Sequence, residues 1–202
     1  IPKILLKLGK DAAAAKDMDG AIAKLNEAIA KANEYGNAET AADAKEFITM
    51  VYITDGNSLL NEKKFPEAIA EYEKALAVDP ESGMAHLRIG MCKAQLNDVA
   101  GAVASYEKAM TMGQEANAKK QLGNIYVKQM AADYKAKNSA GALDNAMKAL
   151  EYGENPNAYK IGGMAAVGLK KYDQGIELLS KAKADASVNY NLAKAYEAKG
   201  NG

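Results

Sequence analysis

The sequence predicts an all-α chain of stacked helix-turn-helix repeats, an α-solenoid, and three observations carry that prediction. A glycine recurs at Gly9, Gly56, Gly90, Gly123 and Gly163. A small residue follows twelve positions later at Ala21, Ala68, Ala102 and Gly175, and nineteen positions after Gly123 at Ala142. A second alanine lies seven residues further on, at Ala28, Ala75, Ala109, Ala149 and Ala182. Self-similarity at a period of about 34 marks units that bury their apolar faces only against their neighbours.

The 202 residues divide into repeats at about 2–35, 38–82, 83–115, 116–155 and 156–185, followed by a terminal helix at 186–199, all within one array spanning 1–202. The clearest unit runs through Tyr52, Gly56, Leu59, Phe65, Ala68, Tyr72, Ala75 and Pro80. Spacings of three, four and seven put these residues on one face of two consecutive helices. Gly56 and Ala68 let the helices approach, and Tyr72 fills the space beside them. Asn61-Glu62-Lys63-Lys64 forms the turn. Asp79-Pro80 ends the second helix, because the residue before proline disfavours helical backbone.

Two steps exceed the period. Gly9 to Gly56 spans 47 residues, and the extra stretch Ala-Glu-Thr-Ala-Ala-Asp-Ala-Lys-Glu-Phe at 38–47 has helix-forming composition. It is expected to lengthen the first helix of the second repeat, with Asn37 as the cap. Gly123 to Gly163 spans 40, and the added seven residues are placed within Lys128 to Ala140, lengthening the first helix of the fourth repeat. The last step is short, so Ala184-Asp185 forms a tight turn. Ser187 to Lys199 then makes a final helix with Tyr190, Leu192 and Tyr196 on its inner side.

These units resemble the tetratricopeptide repeat (TPR), whose pattern is aromatic, leucine, glycine, tyrosine, alanine, aromatic, alanine, proline over 34 residues. The second unit carries the pattern as quoted above, and the third as His86, Ile89, Gly90, Val99, Ala102, Tyr106 and Ala109. The first follows it at Leu5, Leu8, Gly9, Ala21, Leu25 and Ala28, the fourth at Leu122, Gly123, Tyr126, Ala142 and Ala149, and the fifth at Tyr159, Gly163, Tyr172, Gly175, Leu179 and Ala182. The resemblance implies a right-handed superhelix whose first helices line a concave groove. On this sequence it places Met50, Ile53 and Asn57 there, then Met84, Leu87 and Met91, then Asn117, Lys120 and Asn124, then Asn157, Lys160 and Met164. One half of that groove is apolar and methionine-rich, the other polar with two lysines. A peptide with an apolar portion and an acidic or carboxylate end would complement it. The alternative for Met50, Ile53, Met84 and Leu87 is that another element of the chain covers them.

Chaperone-binding members of the family grip a terminal carboxylate with a lysine and asparagine four apart, then further polar residues. Lys120 and Asn124 match the opening pair, but Ile161, Ser187 and Asn191 stand where the rest should follow. The clamp is incomplete, which argues against a heat-shock chaperone tail.

Composition limits the remaining classes. Twenty-six basic and 26 acidic residues give a formal net charge of zero, so no global field recruits nucleic acid or an anionic membrane. Arg88 is the only arginine, which further disfavours bidentate readout of phosphate or guanine. Cys92 is the only cysteine, so no internal disulfide forms, and no run of apolar residues is long enough to span a membrane. His86, the only histidine, sits at a packing position six residues from Cys92 and on a different helix face. Without a phosphate loop, a paired metal-ligand motif or a nucleophile elbow, the sequence points to a non-enzymatic protein needing no cofactor or metal.

The expected function is a scaffold that binds a protein or peptide partner. Self-assembly into homo-oligomers through projecting long helices is a second reading, and a helical receptor component for small molecules or glycans is a third. The chain opens Ile1-Pro2-Lys3 without an initiating methionine, consistent with a removed leader. Its alanine-, asparagine- and lysine-rich composition leans toward an exported, periplasmic bacterial protein over a cytoplasmic one.

Overall fold

The computed structural model describes residues 1–200. Among them are eleven α-helices and no strand: α1 (Pro2–Ala14), α2 (Met18–Glu34), α3 (Ala38–Asn61), α4 (Phe65–Val78), α5 (Gly83–Gln95), α6 (Val99–Thr111), α7 (Glu115–Lys135), α8 (Ser139–Glu151), α9 (Pro156–Gly168), α10 (Tyr172–Lys181) and α11 (Ala186–Ala198). The chain divides into two compact units, Ile1–Glu115 and Ala116–Gly202. In the first, each helix from α1 to α5 packs on its successor, and the first helices of neighbouring hairpins touch, α1 on α3 and α3 on α5. In the second, α8 packs on α9, α9 on α10 and α10 on α11, with α9 also touching α11. This ordered nearest-neighbour packing is that of an all-α solenoid.

What closes each hairpin is a large side chain opposite a residue that makes room for it. A Cβ added at Gly56 would lie 2.5 Å from the Tyr72 ring, and one at Gly90 would lie 2.7 Å from the Tyr106 ring. The equivalent additions at Gly9 and Gly163 would fall 2.6 Å from Cγ of Leu25 and of Leu179 respectively. Each pair is sixteen residues apart. These contacts are far inside van der Waals distance, so glycine is required by the close approach.

Gly123 does not belong to that series. A Cβ there would meet only Tyr152 Cβ at 3.7 Å, an ordinary contact. The seam of the fourth hairpin lies instead at Met130, fully buried and packed with Ala146, which stands sixteen residues on. The sizes are exchanged, with the large side chain on the first helix and the small one on the second. Counted from Met130, Ala142 and Ala149 fall at twelve and nineteen, as in the other four hairpins. The placement of the extra residues within 128–140 is therefore corrected: they lie at the N-terminal end of α7. Helices α1, α5 and α9 begin seven residues before their seam, α7 fifteen before and α3 eighteen before.

The turns confirm this register. Lys16, Lys63, Asn97, Lys137 and Lys170 all have positive φ, between 59° and 64°, and each stands seven residues after its seam. In every case the next residue's amide reaches five residues back, as from Lys64 N to Leu59 O at 2.9 Å and from Asn138 N to Asp133 O at 2.9 Å. These paired bonds satisfy the carbonyls left open at the end of the first helix. Asp17, Asp98 and Asn138 then cap the second helix by accepting from the amides of Gly20, Gly101 and Gly141.

The lengthened α3 starts as the sequence predicts, with the Asn37 side chain accepting from Thr40 N at 3.1 Å. At the far end, Asp185 caps α11 by accepting from Val188 N at 2.9 Å. The inner face of α11 differs from expectation. Val188 and Ala195 are buried there with Leu192 packed beside them, while Tyr190 and Tyr196 are exposed. Buried positions seven apart follow the helical repeat, and the two tyrosines fall off that line.

Candidate interaction surface on the first helices

In the first unit the touching helices α1, α3 and α5 form one layer, and the expected groove residues of α3 and α5 lie on it. Met50 is the most open of them at 51% exposure. It stands in the wall between two clefts. One, of about 250 Å³, is lined by Lys10, Ala13, Met18, Phe47, Val51 and Thr54 as well. The other, of about 460 Å³, runs along Lys45, Thr49 and Ile53 to Val78 and Ser82. An exposed methionine flanked by two concavities is a surface able to repack around varied apolar groups.

The rest of the apolar set is more closed. Ile53, Met84 and Met91 are half-buried, and Leu87 is 6% exposed. Asn57 is already engaged, its Oδ1 accepting from the Tyr72 hydroxyl at 2.9 Å. Burial, with some help from the nearby Cys92, pushes the Tyr72 phenol up to about 12, while the Arg88 charge pulls the other way. The Cys92 thiol is fully buried and is pushed up to about 11 by that burial, so it is an inert packing group at neutral pH. His86 is buried, and its Nε2 lies 3.3 Å from the Pro80 carbonyl, an arrangement that takes the Nε2-protonated tautomer. Burial lowers its pKa and keeps the ring neutral.

The polar half changes more. With the seam at Met130, the positions in α7 that correspond to Met84, Leu87 and Met91 are Asn124, Val127 and Ala131. Asn117 and Lys120 belong to the added N-terminal turns of α7, where both are exposed. The Lys120–Asn124 match to a carboxylate clamp thereby loses its register. In the second unit, Asn157 is exposed and Lys160 Nζ is paired with Asp185 Oδ2 at 2.5 Å. The Lys160 ammonium, the Val188 amide and the Ser187 hydroxyl hold the Asp185 carboxyl well below the usual carboxylate range. Met164 packs against the cluster of Val167, Leu179, Val188 and Ala195.

Two residues that the sequence did not single out for the site belong to this layer. Phe47 lines the first cleft with the Lys10 ammonium 5.4 Å from its ring centroid. Arg88 donates from Nη1 toward Met91 Sδ at 3.8 Å. Arg88 carried a signal as the only arginine, whereas Phe47 sits in the added stretch of α3, outside the repeat pattern. Among the described residues no group of three metal-ligating side chains forms, and no helix is long and apolar enough to cross a membrane.

The stacked hairpins with interlocking seams define a helical-repeat protein. Residues 54–117 match the family profile described as Tetratricopeptide repeat, so this part of the chain carries that repeat. No curated protein matches the sequence. Among solved structures, the chain is similar to a TPR repeats protein from Bacteroides fragilis NCTC 9343, with 18% identity, 100% of this chain and 86% of that one covered, and a TM-score of 0.51. It is also similar to YrrB, described as a TPR protein with an unusual peptide-binding site, at 23% identity over 76% of this chain and 78% of that one, with a TM-score of 0.46. A third is PilW, a type IV pilus biogenesis factor, at 17% identity over 95% and 96%, with a TM-score of 0.43. The likeness to the Bacteroides protein supports the fold alone. Repeats of this family generally act as non-enzymatic scaffolds for protein–protein interaction.

Proposed function

We propose that the protein binds a peptide segment of a partner along the α1–α3–α5 layer, with Met50 at the centre of the contact. The observation that carries this reading is Met50 itself, a large apolar side chain left half open between two clefts while the adjacent Thr49 and Val51 are buried. Ile53, Met84 and Met91 extend the apolar strip, and the stacked helices hold it in place, so little ordering entropy is lost on the receptor side. Leu87 supports the layer from beneath. In the second unit, Lys120, Asn124, Lys160 and Met164 are kept as candidate contacts of their own, with Lys160 reached only by displacing Asp185.

A peptide-display selection on the intact chain tests the reading. Peptides rich in apolar residues are expected, and Met50→Lys should weaken them by about tenfold or more, as for an interface anchor, with an unchanged melting temperature. Selected peptides that bind the variant as well as the native chain would move the site elsewhere.

A further inference from the structure

Three hairpins carry the same pair beside the seam. The tyrosine four residues before the seam lies under the lysine eighteen residues after it. Lys74 Nζ is 5.8 Å from the Tyr52 ring centroid, Lys148 Nζ 5.4 Å from that of Tyr126, and Lys181 Nζ 5.9 Å from that of Tyr159. At such distances an ammonium is drawn to the face of an aromatic ring, so each pair ties the second helix of a hairpin to its first. In the third hairpin the lysine is kept as Lys108 on α6, but the ring four residues before Gly90 is the imidazole of His86 on α5. Among the four rings in this register, only imidazole takes up a proton near neutral pH.

That imidazole has little room to relax. His86 is 8% exposed, and its Nε2 lies 3.3 Å from the Pro80 carbonyl in the α4–α5 turn, to which it donates. A second proton therefore goes to Nδ1. Burial opposes it first, the Lys108 ammonium adds to that opposition, and only the Pro80 carbonyl favours it. No carboxylate of α3, α4, α6 or the turn acts on the ring. In the turn, the Asp79 carboxylate accepts from the Glu81 amide at 3.1 Å instead. The unfolded chain takes up the proton at the ordinary imidazole value and the folded chain only below it. The stability contributed is thus complete above about pH 6.5 and is lost as pH falls through the folded ring's lower value.

We infer that His86 is an acid-sensitive latch in the third hairpin: protonation at Nδ1 sets an imidazolium against the Lys108 ammonium, and α5 loosens from α6 and from the α4–α5 turn. The tyrosine pairs of the other hairpins hold through the same range, because a phenol stays neutral there. Met84 and Met91 ride on α5, so the apolar strip loosens with the latch. The latch itself stands whether or not that strip is the binding surface.

Because His86 is the only histidine, its ring gives one identifiable proton signal in the intact chain, and its titration is read directly. Lys108→Met should move the midpoint up toward the ordinary imidazole value, whereas Lys74→Met, which removes the partner of a tyrosine, should leave it in place. Labelled methyl groups of Met84 and Met91 should shift along the same titration curve, and that of Met18, on α2, should not. Between pH 7.5 and pH 5, the native chain should lose about 2–4 °C more in melting temperature than His86→Tyr or Lys108→Met does. The proposal is overturned if Lys108→Met leaves the His86 midpoint unchanged, if the α5 methyls ignore the titration, or if the native chain and Lys108→Met share one pH dependence of melting. Lys108 is exposed, so its variant keeps the test decisive should His86→Tyr fail to fold.

Discussion

The second and fourth hairpins solve the same packing problem with opposite pieces. In the second, Gly56 on α3 leaves room for the ring of Tyr72 on α4. In the fourth, Met130 on α7 fills a space that Ala146 on α8 leaves open. Both pairs are sixteen residues apart, both are buried at the seam, and both turn seven residues after the first member. The comparison teaches that the fold conserves the summed volume across the seam, and which helix supplies the bulk is free to change.

The severest way to break that equivalence is to empty each seam. Tyr72→Ala should destabilise the protein by about 3–5 kcal/mol and Met130→Ala by about 2–5 kcal/mol, since both leave cavities in sealed positions. Urea unfolding measures both. A loss under about 1 kcal/mol for Met130→Ala would deny it the seam role, because that is below the usual cost of such a truncation.

A smaller effect sharpens the register, since it changes sign between two glycines. Gly56→Val forces a branched side chain into the Tyr72 ring and should cost about 1–3 kcal/mol. Gly123→Ala meets no close neighbour and should stabilise α7 by about 0.5–1 kcal/mol through helix propensity alone. Thermal melts of the two variants moving in the same direction would contradict the assignment of the seam to Met130.

The smallest expected change concerns the turns, which the two hairpins share. Lys63 and Lys137 both hold left-handed backbone, where a side chain is strained and glycine is not. Lys63→Gly and Lys137→Gly should each raise stability by about 0.5–1 kcal/mol, the strain relieved outweighing the added freedom of the unfolded chain. Chemical denaturation midpoints rising for one turn and falling for the other would show that the two closures are not equivalent.

Much of this was legible in the residues. Four of five seam glycines, the alanines that face them, the Asn37 cap and the packing role of His86 follow from spacing and side-chain size. Gly123 misled because it stands 33 residues after Gly90, where the period places a glycine, while a methionine held the actual seam. Counting backward from the turn at Lys137-Asn138, or from Ala142, reaches Met130. Sequence spacing counted from the glycine could not. Tyr190 and Tyr196 were assigned inward by size, yet the helical line runs through the smaller Val188 and Ala195. At the binding surface, type and position identified Met50 but not how open it is, and the partnering of Asn57 and Lys160 depends on three-dimensional neighbours.

From the seam onward, all five hairpins keep one spacing through the turn, the facing small residue and the residue sixteen on that closes the seam. Ahead of the seam the first helices differ, with α3 and α7 running well beyond the seven residues of the other three. A lineage elaborating this architecture therefore has one safe place to graft new surface. Residues spliced ahead of the seam add helix without shifting a single interlock, whereas the same residues inserted after it would move every later contact out of phase.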